Sequence, residues 1–232
     1  MNSALYTNAV IHATEIDRAG FIRRTYAHLA GAILAFIAVE ALLLQLPIAG
    51  DIARFMTGGY SWLVVMLAFM GVAWLAQRWA MSGASPQTQY AGLGLYILAE
   101  AIIFLPLMYI VVSYSSPSVI PMAGLITLNL FAGLTAVVFL TKKDFSWMRN
   151  ILVIGSFVAL GVIIASIIFG FSLGLLFSFV MVAFAAGAIL YDTSNVMHHY
   201  RTDQHVAASL SLFASIALLF WYILNIVRSS DD

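Results

Sequence analysis

Seven apolar runs, each long enough to cross a bilayer, limit this chain more than any other feature. A spanning helix needs about 20 mostly apolar residues. Residues 27–48, 60–81, 90–113, 119–141, 150–170, 173–194 and 207–227 meet that requirement. The separators LPIAGDIARFMTGG, MSGASPQTQ, SYSSPS, TKKDFSWMRN, FGFS and MHHYRTDQHV carry the Pro, Gly, Ser and charged residues that punctuate helices. If FGFS were not a break, the fifth and sixth runs would merge into one helix of about 45 residues, too long to cross a bilayer straight. The chain therefore reads as an all-α polytopic membrane protein with seven transmembrane helices over residues 27–228 and a polar N-terminal tail over 1–26. Charge agrees: 9% of residues are Asp, Glu, Lys or Arg, against about a quarter in a soluble domain.

The distribution of those charges sets orientation. Arg18, Arg23, Arg24, Arg78, Lys142, Lys143, Arg149 and Arg201 fall on one side of the seven-span arrangement, and only Arg54 and Arg228 fall on the other. By the positive-inside rule the N-terminus is cytoplasmic and the C-terminus outside. Ten basic and ten acidic residues cancel, so no field points to nucleic acid, and the partner expected first is the lipid bilayer. The sequence has no cysteine, which excludes disulfides and thiolate sites. The polar opening stretch lacks the apolar region of a signal peptide, so the first span directs insertion.

Three acids lie inside the expected spans: Glu40, Glu100 and Asp192. An acid at the bilayer centre costs about 2.5–3.5 kcal/mol even on the lower scales, so each needs a reason. Glu40 is about two turns before Pro47, where it reaches the interface or a polar group on a neighbouring helix. Glu100 is near the middle of the third span, six residues before Pro106, whose ring removes a backbone hydrogen bond and frees the Ile102 carbonyl. Asp192 ends the sixth span in GAILYDTSNVMHHY. An acid at a helix C-terminus opposes the helix dipole, so Asp192 calls for hydration, a compensating partner or a proton.

Enzyme templates find no match. There is no H-E-x-x-H, and the adjacent His198 and His199 cannot share a helical face as zinc ligands. Gly170 to Gly174 spells G-x-S-x-G, but it lies between two apolar helical runs rather than on the strand-to-helix turn that a nucleophile elbow needs; no Gly-x-Gly-Asp is present, and Lys142 and Lys143 lie in a loop rather than in a span. The chain is not expected to be an enzyme or to hold a resident cofactor. His12, His28, His198, His199 and His205 are scattered or grouped near YRTDQHV, where they are either solvated or able to sense pH. Tyr and Trp near the span ends read as interfacial belts.

Two stretches, GAILYDTSNVMHHY and TKKDFSWM, with a weaker third in FIRRTYAHLAGAI, resemble signature segments of the Bax inhibitor-1, or transmembrane BAX inhibitor motif, family. The resemblance runs from about Phe21 to the end and suits a bacterial member. It implies six helices surrounding the last. It also implies a pH-sensitive calcium leak in which an aspartate of the sixth span pairs with one in the final span, with arginine contacts latching the closed state. Asp192 matches the first acid. Ser215 stands where the second is expected, Arg78 matches the basic position only loosely, and Glu100 is the candidate for the missing acid.

The leading expectation is thus a pH-responsive calcium or cation leak pathway gated around Asp192, Arg78, Ser215 and Glu100, with only transient Ca2+. One aspartate and hydroxyls would bind calcium poorly, because that ion takes six to eight oxygens. The alternative is a non-conducting regulator of a membrane-anchored AAA protease or another membrane partner, contacted through the tail and the loops at 141–150 and 198–206.

Overall fold

The computed structural model describes residues 9–231 except 82 and 84. Among the described residues, eight α-helices follow a 3-10 turn at Val10–His12: α1 (Glu15–Leu44), α2 (Ala49–Thr57), α3 (Ser61–Ala80), α4 (Pro86–Tyr114), α5 (Val119–Thr141), α6 (Met148–Phe169), α7 (Gly174–His198) and α8 (His205–Ser229). Seven of them, all but α2, are long and apolar enough to cross a membrane. They coincide with the seven expected spans, and FGFS is a true break: Gly170 ends α6 in the left-handed region at φ 72°, where glycine carries no Cβ penalty.

Local chemistry sets the helix ends. The Thr14 hydroxyl oxygen accepts from the Asp17 amide at 3.2 Å at the start of α1, with Glu15 and Asp17 in its first turn. Both devices satisfy or complement the free amides of an N-terminus. Ser85 caps α4 by accepting from Thr88, and Pro86 takes the first helical position, where its missing N–H costs nothing. Pro106 lies inside α4, yet the helix runs unbroken through it.

Two boundaries differ from the sequence reading. The polar tail expected over 1–26 is helical from Glu15 onward and is one rod with the first span; residues 1–8 of that tail lie outside the described residues. The separator after the first span contains α2, a short helix with Asp51 in its first turn and Arg54 in its last, buried on one face through Ala49, Ala53 and Met56. Its amphipathic pattern was masked by the Pro and Gly that bracket it.

The core gathers on α8. That helix packs against α1, α3, α4, α5 and α7, and most of its apolar window is buried. By contrast α6 has no buried residue and packs on α7, so its apolar surface suits contact with lipid tails. Rings stack through the centre: Phe36 of α1 meets Phe104 of α4 at 5.1 Å and Phe213 of α8 at 5.9 Å, and Tyr96 of α4 meets Phe213 at 6.0 Å. α3 and α4 pack antiparallel at Gly92, where an added Cβ would sit 2.5 Å from the Ala76 carbonyl and 2.8 Å from the Ala80 amide. Small residues there let two backbones touch.

Candidate functional site

Asp192 lies on the face of α7 turned toward α8, and Ser215 lies on α8 opposite it. The Ser215 hydroxyl donates to Asp192 Oδ2 at 2.5 Å. Ser215 is buried and Asp192 partly so. The serine that replaces an expected acid thus faces the aspartate directly and gives it a neutral donor. Hydrogen bonds to an ionised carboxylate are roughly twice as strong as neutral ones, so this contact depends on the charge of Asp192.

The other sequence-predicted residues are placed differently. Glu100 is 6% exposed, its Oε2 has no hydrogen-bond partner, and its carboxyl is hydrogen-bonded to the Tyr96 side chain, one turn earlier on α4. Tyr96 is within electrostatic reach of both Glu100 and Asp192, so the two acids share a neighbour without meeting. Arg78 is not part of this group. Its guanidinium lies over the Trp74 ring on its own helix, 5.4 Å from the centroid, it is exposed, and no hydrogen bond or ion pair joins it to Asp192. Glu40, expected to reach the interface or a polar group on a neighbouring helix, is 2% exposed with both carboxylate oxygens lacking a partner.

A second polar cluster joins the two signature stretches at the basic end of the bundle. Asp144, from TKKDFSWM, accepts from the Ser146 amide at 2.8 Å, from the Ser194 hydroxyl at 3.3 Å, and pairs with His199 Nε2 at 3.0 Å. Ser194 and His199 both belong to GAILYDTSNVMHHY, and Ser194 Oγ also accepts from the Phe145 amide at 2.9 Å. Burial alone would raise the Asp144 pKa, but the Ser146 amide and His199 outweigh it and hold the group at about 2. Sequence reasoning missed this cluster, although an acid in one signature stretch and Ser and His in the other were visible signals. The basic end is further tied by the Val10 amide donating to the Tyr200 carbonyl at 2.9 Å, Arg18 to the carbonyls of Val10 and Ile11, and Arg24 to that of Thr202. Four of the five histidines fall into two groups. His28 contacts Tyr90 and His205, while His198 and His199 flank Ser194 and Asp144.

Among the described residues, no three His, Cys, Asp or Glu side chains gather where a metal could be held. A single carboxylate with one hydroxyl offers an ion only passing contact.

The family model described as "Inhibitor of apoptosis-promoting Bax1" matches residues 18–232. The chain belongs to the Bax inhibitor-1 family. Within that family it is 31% identical over 177 residues to an uncharacterized protein of Pseudomonas aeruginosa, covering 73% of this chain and 76% of the relative. It is 29% identical over 222 residues to LIFEGUARD 4 of Arabidopsis thaliana, covering 92% and 86%. It is also 29% identical over 212 residues to the modulator of FtsH protease YccA of Escherichia coli, covering 89% and 88%. The Bax inhibitor-1 match embraces both signature stretches and all seven spans except the first turn of α1.

Proposed function

We propose that this chain is a proton-responsive leak pathway for calcium or other cations, held closed by the Asp192–Ser215 bond, with its basic end toward the cytoplasm. The observation that carries the reading is that bond, which ties together the packed helices α7 and α8. Protonating Asp192 removes the charge that strengthens the bond and loosens the pair. Tyr96 and Phe213, packed edge to face at 6.0 Å, close the centre beside it. One carboxylate suits conduction, since an ion must leave a site as readily as it enters. Calcium efflux from proteoliposomes tests the latch: Ser215→Ala, which leaves the carboxylate without its donor, is expected to leak faster than wild type at neutral pH. Equal rates would remove the latch from the account.

A second reading is favoured by a separate observation. One relative is named as a modulator of the FtsH protease, and the N-terminal segment and the loops around 142–147 and 199–204 meet at one end of this bundle. On this reading the basic end docks on a membrane-anchored protease. Co-purification from native membranes separates the two. A stoichiometric protease, lost when residues before Thr14 are removed, supports docking; robust flux with no such partner opposes it.

A further inference from the structure

At the end of the bundle opposite the basic loops, residues of α3, α4, α6, α7 and α8 line a cavity of about 410 Å3, with Phe69, Glu100, Leu218 and Arg228 among them. The walls are aromatic. Trp62 stacks on Trp221 at 6.2 Å, Trp221 meets Phe104 edge-on at 4.8 Å, and Phe177 meets Tyr222 at 5.9 Å. Glu100 brings the one acid, 6% exposed, with Oε2 unpartnered.

This combination selects a ligand class. Tyr96 serves one end of the carboxyl, and the oxygen left unpartnered in an apolar site is stabilised by a cation that brings its own donor. Aromatic faces attract such a cation and pack its apolar part. Calcium is a poor fit, because the cavity offers one carboxylate where that ion wants several oxygens. Arg228 also lines the cavity, with its Nε buried and unpartnered, and among the described residues no ion pair joins it to Glu100, so the acid stays open to an incoming cation. We infer that this cavity binds a monovalent organic ammonium ion, its charged head at Glu100 and its aromatic or alkyl body among Trp62, Phe104 and Trp221. The inference goes beyond the leak reading, since it requires neither conduction nor Asp192.

The test uses 4-phenylbutylammonium and its uncharged counterpart 4-phenylbutan-1-ol, titrated into the purified full chain in one detergent and followed by tryptophan fluorescence. The amine is expected to bind saturably and Glu100→Gln to weaken it at least tenfold, while the alcohol binds wild type and Glu100→Gln alike. Ile103→Trp, which fills the cavity and keeps the acid, is expected to abolish saturable binding. It decides the matter if Glu100→Gln does not fold. Asp192→Asn is expected to bind the amine as wild type does, so failure of the leak reading leaves this result standing. Wild-type affinity in Glu100→Gln, saturable binding in Ile103→Trp, or indistinguishable titrations of amine and alcohol would overturn the inference.

Discussion

Ser215 does two separable things at Asp192: it supplies a donor, and it occupies the place of a second acid. Ser215→Ala removes the donor and leaves a buried acceptor unsatisfied, a loss of about 1–3 kcal/mol, measurable as a lower Tm in detergent; an unchanged Tm would mean that water replaces the hydroxyl. Ser215→Asp instead creates two carboxylates at hydrogen-bond distance, which share one proton. It is expected to shift the midpoint of flux against pH relative to wild type, and an identical midpoint would argue against a paired site. The partner of Asp192 was legible only through the family resemblance, because nothing in local spacing brings residues 192 and 215 together. Arg78 shows the opposite failure. A basic residue near the end of a span looks available to an acid, but helical rotation turned its side chain outward onto Trp74.

Among elements, the spans were readable because bilayer thickness sets a minimum length for an apolar helix, and seven runs met it. The GLG stretch at 92–94 points to close helix packing, but the sequence does not show that α3 is the partner or that Gly92 and not Gly94 makes the contact. Gly92→Ala is expected to force the two backbones apart and cost about 1–3 kcal/mol. Gly94→Ala, whose Cβ meets nothing within 4 Å, is expected to be neutral or to stabilise by about 0.4–1 kcal/mol. Equal thermal shifts for the two would contradict the assigned packing. The Asp144 cluster anchors the loop between α5 and α6 onto α7. Its folded pKa of about 2 is below the ordinary 3.8, so its contribution is fully present above 3.8 and is lost as pH falls through 2. Solvent screens the half-exposed pair with His199, which limits Asp144→Ala to about 0.5–1 kcal/mol. The Tm difference from wild type should be present at pH 4–5, where Asp144 is still charged, and shrink as pH falls toward 2; a difference already absent at pH 5 would show that Asp144 is not the group responsible.

For the whole molecule, one polarity organises everything: basic loops and both signature stretches at one end, the aromatic cavity at the other, and the Asp192–Ser215 bond between them. Orientation can be checked without background, because the chain contains no cysteine. A membrane-impermeant maleimide added to spheroplasts is expected to label Thr57→Cys at once and Lys143→Cys only after permeabilisation; the reverse order would invert the assigned topology. The gate itself is tested most directly by the initial rate of calcium efflux from proteoliposomes between pH 6 and 8, comparing wild type with Asp192→Asn. Wild type is expected to leak faster as pH falls, and Asp192→Asn, fixed in the uncharged form, to leak at the wild type's acidic rate across the range. The same pH dependence in both proteins would contradict Asp192 as the gate.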